Sequence, residues 1–188
     1  MENTAQTWES KQAAISFAAK QLQAANPHLM PSNGNSLISA AKNIRIELAR
    51  AFPGIKFCVR TKRFSGGNDL NVDWTDGPTT KQVDAIIERY DSGSFDGMTD
   101  CYNYRDDRAF TAAFGEVKYT FSNRTYSDKM LLSVIGRVHR YLGGVDRSIE
   151  QCVADYKVGG LWNVKTSGEA HCQSLTIGIS GSNATHYF

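Results

Sequence analysis

The chain has 188 residues, of which 41% are hydrophobic and 21% are charged, and its net charge is +2. This composition is ordinary for a soluble globular domain, and so small a net charge gives no argument for nucleic acid or a membrane surface as the partner. No apolar run approaches the ~20 residues of a membrane-spanning helix, and the first residues lack the basic start and apolar run of a secretion signal. We therefore expect one compact cytoplasmic domain, or a domain with an appended segment, without a membrane partner.

Two helices are predicted in the first quarter of the chain. An apolar stripe at helical spacing indicates the first from Thr7 to Ala25, with Trp8, Ile15, Ala18, Ala19 and Leu22 on one side. The second is predicted from a capping Ser36 to about Ala51. Its apolar stripe consists of Leu37, Ala41, Ile44, Leu48 and Phe52.

A β-hairpin is predicted next. Apolar and polar residues alternate from residue 55 to 60 and again from 70 to 74, on either side of a link rich in glycine, Ser65-Gly66-Gly67. A period of two on both sides of such a link is typical of two half-buried strands. Asp76-Gly77-Pro78 ends the second strand and starts a third helix, whose apolar positions are Val83, Ile86, Ile87 and Tyr90.

Residues 91–108 read as a polar loop that is unusually rich in aromatic residues. One interpretation is that its large apolar side chains pin a long loop onto the sheet. The other is an exposed recognition surface, since tyrosine is favoured at protein interfaces. The residues concerned are Phe95, Met98, Tyr102 and Tyr104.

The next part of the chain predicts a helical turn at 109–114, a strand at 117–121, and a helix capped by Ser127 and ended by Gly143-Gly144. The last part predicts a short helix near 149–156 and strands near 161–164 and 175–179. Together these elements predict an α+β fold: a mostly antiparallel sheet of three to five strands, with helices packed on one face. We expect an N-terminal helix in 1–35, a core α+β domain in 36–143, and a C-terminal extension in 144–188 that packs on the core.

Four segments in order resemble a known family. They are F-P-G-I-K-F-C-V-R-T-K-R-F-S-G-G, N-V-D-W-T-D-G-P-T-T-K-Q-V, F-D-G-M-T-D-C-Y-N-Y and Y-T-F-S-N-R-T-Y-S. The core from about Asn43 to Leu142 is similar to the twenty-ninth of the large polyvalent protein-associated domains. The resemblance implies an origin in phages or conjugative elements and a role in conflict with a bacterial host. It supplies no catalytic residues, and by analogy it implies a small effector such as an inhibitor of host immunity.

A basic patch on the predicted hairpin is the first candidate site. Its cations could neutralise the phosphates of a nucleic acid without reading sequence. Alternatively, they pair across the strands with Asp69 and Asp73, which sit where cross-strand partners should be. The residues of the patch are Lys56, Arg60, Lys62 and Arg63.

Three catalytic interpretations are weaker. Glu116-Val117-Lys118 with Asp96 and Asp100 upstream has the residue types of a metal-dependent nuclease, but the triplet is common by chance. His171-Cys172 could suggest a thiol nucleophile, although adjacent side chains on a strand usually point apart. His28, His139 and His186 read as surface residues, and neither Gly-rich piece has the spacing of a phosphate-binding loop.

The four cysteines form no C-x-x-C pair, and we expect free thiols in a reducing cytosol at Cys58, Cys101, Cys152 and Cys172. We expect no enzyme, no cofactor and no metal site. The leading hypothesis is a binding protein of a phage or mobile element that occludes a host protein, such as a defence complex, through the hairpin tip and the Tyr-rich segment. The alternative is a nucleic-acid-binding domain that uses the basic hairpin.

Overall fold

The computed structural model describes residues 8–141 and 148–158, with side chains described up to residue 137 and again from residue 148. The predicted strands near 161–164 and 175–179, and the pair His171-Cys172, lie outside these residues. The described elements are six helices and five strands in two sheets, so the predicted α+β class is confirmed. The backbone divides into two compact units, Met1–Asp73 with Lys81–Asn123 and Trp74–Thr80 with Arg124–Phe188. The predicted domain boundaries stay a prediction.

The helices of the first unit pack around one short helix, α4 (Ala109–Phe114). Helix α1 spans Trp8–Ala25, α2 spans Ser36–Ala51, α3 spans Thr80–Ile87 and continues as a 3-10 turn over Glu88–Tyr90, and α4 spans Ala109–Phe114. Both α1 and α2 contact α4, which is the helical turn that the sequence predicted at 109–114. On α1 only Ala19 of the predicted stripe is fully buried, and Trp8 is exposed. The stripe of α2 is buried at Leu37, Ala41, Ile44 and Leu48.

The cap of α2 differs from the prediction by one residue. Asn35 occupies the N-cap position, and its Oδ1 accepts from the amide of Ile38 at 3.3 Å. The hydroxyl of Ser36 instead accepts from the amide of Glu116 at 2.6 Å. The prediction was wrong because a long-range partner takes the hydroxyl of Ser36, while Asn35, an equally good capping residue, stands immediately before it.

Asn43 is a fully buried amide that joins three segments of this unit. Its Nδ2 donates to the carbonyl oxygens of Met30 at 2.8 Å and Phe114 at 2.9 Å, and its Oδ1 accepts from the amide of Met30 at 2.7 Å. All its hydrogen-bonding groups are therefore used, which offsets the cost of burying a polar side chain. Nearby, a Cβ at Gly115 would overlap the backbone of Ser36 and Ala40, so the end of α4 approaches α2 more closely than a larger residue would allow.

The three-stranded sheet has the order β1-β2-β5, with β1 at Phe57–Phe64, β2 at Gly67–Thr75 and β5 at Tyr119–Thr125. Strands β1 and β2 form the predicted hairpin, and Leu70 and Val72 are buried as the alternation indicated. The amide of Lys118 donates to Asn68, and Asn123 donates to Asp73. The residue numbers of the contacting positions increase in the same direction on both strands, from Asn68 and Lys118 to Asp73 and Asn123. Strand β5 therefore runs parallel to β2, and the sheet is mixed.

The second unit contains two helices, α5 at Asp128–Tyr141 and α6 at Ile149–Val158, which pack on each other. Ser127 caps α5 as predicted, because its hydroxyl accepts from the amide of Met130 at 3.2 Å. Arg124 is buried and donates to the carbonyls of Asp76 and Gly77, holding the turn that follows β2. The buried apolar residues include Trp74, Met130, Leu131, Val134, Ile135, Cys152 and Val153.

Candidate functional site

The segment predicted as a long loop forms a second β-hairpin, and the loop prediction was wrong. Strand β3 spans Gly93–Asp96 and β4 spans Cys101–Tyr104; they pair antiparallel with Phe95 opposite Tyr102. We call this element, residues 93–104, the Tyr-rich hairpin. Its strands have four residues each, so backbone pairing alone would not hold them, and side-chain contacts outside the hairpin must contribute.

Tyr102 attaches the Tyr-rich hairpin to the rest of the first unit. Its hydroxyl donates to the carbonyl oxygen of Lys118 at 2.7 Å and lies 3.0 Å from the hydroxyl of Ser92. Partial burial raises the pKa of this phenol. A Cβ at Gly93 would overlap the carbonyl of Asn103 and the ring of Tyr102, so the two strands meet closely at the base of the hairpin. Tyr102 is therefore an anchor rather than a displayed side chain.

The other three predicted residues of this segment project into solvent. The exposed fraction is 52% for Phe95, 96% for Met98 and 61% for Tyr104. Asp96 fixes the turn between the strands, because its carboxylate accepts from the amide of Met98 and the hydroxyl of Thr99, both at 2.9 Å. These bonds lower the pKa of Asp96. The hairpin thus displays three large apolar side chains, Met98 in its ordered turn, Phe95 beside the turn and Tyr104 at its base.

The four predicted basic residues do not converge on one site. Arg60 forms an ion pair of 2.6 Å with Asp73, which raises the pKa of Arg60, as the cross-strand interpretation expected. Arg63 lies on the opposite side of β1 and donates to Asn35 at the start of α2. Lys56 lies just before β1. Among the described residues, Lys56 and Lys62 make no ion pair.

Aromatic residues that the sequence analysis did not select connect the two hairpins. Tyr119 stacks on Phe64 at the end of β1, with ring centroids 6.2 Å apart, and meets Tyr102 edge-on at 5.6 Å. The ammonium of Lys118 lies 4.9 Å from the ring centre of Tyr102 and donates to the carbonyl of Gly66. The tip of the first hairpin and the Tyr-rich hairpin therefore belong to one continuous surface. Phe121, two residues after Tyr119 in β5, is 54% exposed.

The residues that resemble a nuclease site in the sequence each contact a different partner in the structure. Glu116 is paired with Arg108 at 2.9 Å, Lys118 lies against Gly66 and the tyrosine rings, and Asp96 caps its own turn. Within residues 8–141 and 148–158, no group of three or more His, Cys, Asp or Glu side chains could hold a metal ion. Cys58, Cys101 and Cys152 are free thiols, and Cys172 lies outside the described residues. His28 is half-buried near the end of α1.

Asp91 is a carboxyl group whose surroundings favour the neutral form. Its Oδ1 is buried and accepts no hydrogen bond from the described residues. Burial raises the pKa of Asp91 to about 6, although a hydrogen bond with Thr120 and the charge of Arg105 act in the opposite direction. The residue lies at the start of the Tyr-rich hairpin, where its backbone bridges to Val117. No signal in the sequence distinguished it from the surrounding acids.

Comparison with protein families gives a match over the middle of the chain. Residues 36–127 match a family model described as large polyvalent protein associated domain 29. This range includes both hairpins, the residues of the continuous aromatic surface and α4. No curated protein and no solved structure matches the chain. Among the described residues, no helix combines the length and apolar character required to cross a membrane.

Proposed function

We propose that this chain is a non-enzymatic module that binds another protein, with its core in residues 36–127, which match the model of large polyvalent protein associated domain 29. The family associates the chain with phages and other mobile elements. Glu116, Lys118 and Asp96 are each held by a different partner, which supports binding rather than catalysis. The module would act by covering a surface of a bacterial host protein.

The observation that carries this proposal is the exposure of three large apolar side chains on an anchored hairpin. Phe95, Met98 and Tyr104 project from the Tyr-rich hairpin, while Tyr102 and Asp96 hold its base and its turn. Aromatic residues and methionine are enriched where protein interfaces are buried, and a rigid display reduces the entropy lost on binding. This arrangement supports a protein partner with a complementary apolar pocket.

The charges around the same hairpin favour protein over nucleic acid at this site. Asp96, Asp100, Asp106 and Asp107 lie in or beside it, and these four acids outnumber the nearby cations Arg105 and Lys118. A phosphate backbone would be repelled by such a group, whereas a protein surface carrying Lys or Arg at its rim would be attracted. We propose a host defence complex as the target, because a family associated with mobile elements is expected to act against host immunity.

The test is a tagged pull-down from nuclease-treated bacterial lysate, with retained proteins quantified by mass spectrometry. The variant is Phe95→Ala with Tyr104→Ala, since both side chains are exposed and neither anchors the hairpin. Phe17→Ala is the matched control, because it removes an exposed ring from α1. We expect a stoichiometric protein that the native chain and the control retain and that the double variant loses. Equal retention by all three chains would contradict the proposal.

A further inference from the structure

We propose that the outer face of the three-stranded sheet binds single-stranded nucleic acid, with bases stacked on Phe64, Tyr119 and Phe121. This site adjoins the Tyr-rich hairpin, because Tyr119 meets Tyr102 edge-on, but it uses other side chains than Phe95, Met98 and Tyr104 and does not depend on the protein partner proposed above. The inference rests on the placement of exposed rings and cations on one side of the sheet. We define the outer sheet face by Arg60, Lys62, Phe64, Asp73, Tyr119 and Phe121.

Contacts between the strands show that these residues share one face. Asp73 accepts from Arg60 of β1 and from Asn123 of β5, so one side chain from each strand meets there. Alternation along β1 then adds Lys62 and Phe64 to the side of Arg60, and alternation along β5 adds Phe121 and Tyr119 to the side of Asn123. The stacking of Phe64 on Tyr119 is consistent with this assignment. The opposite side of β2 carries the buried Leu70 and Val72.

The rings on this face are open to stacking. Phe121 is 54% exposed, Phe64 is 44% exposed, and Tyr119 is half-buried between them and the Tyr-rich hairpin. Phe64 and Tyr119 cover one face of each other's ring, so each can offer only its other face to a base, whereas Phe121, two residues along β5, is the most exposed of the three rings. Exposed aromatic residues on a sheet are how several single-strand-binding domains hold successive bases.

The outer sheet face has few cations without an acidic partner, so it would contact few phosphates of a bound strand. Both oxygens of Asp73 are occupied, one by Arg60 at 2.6 Å and the other by Asn123 at 3.3 Å, which reduces its repulsion of phosphate. Asp69, on the same side of β2, accepts from Asn71 at 3.1 Å. Lys62 is exposed and forms no ion pair among the described residues. We therefore expect stacking to supply most of the affinity and Lys62 to supply a phosphate contact.

A duplex would not fit this site. Bases in a duplex are stacked on one another and present only their edges, whereas the outer sheet face offers rings that need a free base surface. Nor does the face concentrate enough cations to bind a duplex through its phosphates alone. The expected ligand is consequently a single strand of DNA or RNA, with little preference for sequence.

The experiment measures fluorescence anisotropy of fluorescein-labelled oligo(dT), oligo(U) and a duplex of equal length, titrated with the full chain. We expect both single strands to bind and the duplex to bind at least tenfold more weakly. The affinity should depend shallowly on salt, because a single strand contributes a slope of about 0.7 per phosphate contact. Phe121→Ala should weaken binding about tenfold, as expected for one lost stacking contact. Phe121→Tyr should retain it, because a ring remains.

Two further variants keep the test decisive. Lys62→Ala should lower the salt slope by about 0.7, and Phe17→Ala, which removes an exposed ring from α1, should leave the affinity unchanged. The absence of single-strand binding would overturn the proposal. So would equal binding of duplex and single strand, or equal affinities for Phe121→Ala and Phe17→Ala. If Phe121→Ala instead abolished only the retention of a host protein, the face would be a protein interface and the proposal would be wrong.

Discussion

The hydroxyl of Tyr102 donates a 2.7 Å hydrogen bond to the main-chain carbonyl of Lys118, and this bond ties a hairpin of two four-residue strands to the segment that enters β5. The display of Phe95, Met98 and Tyr104 depends on it, because so short a hairpin has little stability of its own. The relationship gives the first of four expected outcomes.

Tyr102→Phe should loosen the Tyr-rich hairpin without unfolding the first unit. The variant removes two partly buried hydrogen bonds, with Lys118 and Ser92, each of which contributes about 1 kcal/mol, while keeping the ring between Tyr104 and Tyr119. We expect faster amide hydrogen exchange in residues 93–104, with unchanged protection in α2. Tyr104→Phe is the control, since that side chain is exposed. Identical exchange in the two variants would show that the hydroxyl of Tyr102 is not an anchor.

Gly93→Ala should disrupt the same hairpin by a different route. The added Cβ would overlap the carbonyl of Asn103 across the strand pair, and backbone atoms cannot move aside as a flexible side chain can. Gly97→Ala provides a matched control, because a Cβ at Gly97 meets nothing within 4 Å. We expect a lower melting temperature and weaker retention of the protein partner for Gly93→Ala only. Similar melting curves for the two variants would contradict the close approach.

Asn43→Ala should be strongly destabilising. The substitution leaves the buried carbonyl of Phe114 and both main-chain groups of Met30 without the partner that Asn43 provides, and each such loss costs about 1–3 kcal/mol. We expect the free energy of unfolding, from urea titration, to fall by about 3 kcal/mol or more. Lys42→Ala changes an exposed neighbour on the same helix and should stay within about 0.5 kcal/mol of the native chain. A small effect at Asn43 would mean that water can replace the amide.

Asp91 should make the chain less stable as the pH rises from about 4 to about 6. Its folded pKa of about 6 lies above the ordinary value of 3.8, so the folded state binds more protons than the unfolded state in this window. The neutral form is therefore the one that folding favours, and its contribution is fully present below pH 4 and lost above pH 6. Because the residue is only partly buried, we expect a change of about 1 kcal/mol.

The measurement is the free energy of unfolding from pH 4 to pH 7.5 for the native chain and for Asp91→Asn. The variant should gain stability relative to the native chain as the pH rises, and the difference should level off above pH 6. The nearby charged groups Asp84, Glu88 and Arg105 remain in both proteins, so they cancel in the comparison. Parallel pH profiles would assign the pH dependence to other groups.

The elements with strong periodicity could be predicted from the sequence. The stripe Leu37, Ala41, Ile44 and Leu48 sets the buried side of α2, and the alternation of Leu70 with Val72 sets that of β2. The Tyr-rich hairpin could not be predicted in the same way, because its strands have only four residues each, too few for the alternation of Tyr102 and Tyr104 about Asn103 to indicate a strand. Its stability comes from a hydroxyl that reaches a carbonyl 16 positions along the chain.

The candidate site was predictable only in part. Phe95, Met98 and Tyr104 were selected for their residue type, and all three side chains are exposed in the structure. Phe121 was overlooked because alternation divides a strand into two faces without saying which one meets solvent. Here the aromatic side of β5 turns outward at Phe121, contrary to the usual burial of large apolar residues.

Helix α1 lies outside the residues that the family model matches, yet it packs on α4, which lies inside them. Gln23 and Ser32, both outside the matched range 36–127, donate to the carbonyl of Ala113 inside it, at 3.0 Å and 2.8 Å. A segment exchanged between proteins at the family boundary would leave this carbonyl and one side of α4 uncovered. Any protein that acquires the segment by recombination would therefore lose these two hydrogen bonds unless its own flanking sequence supplied equivalent donors.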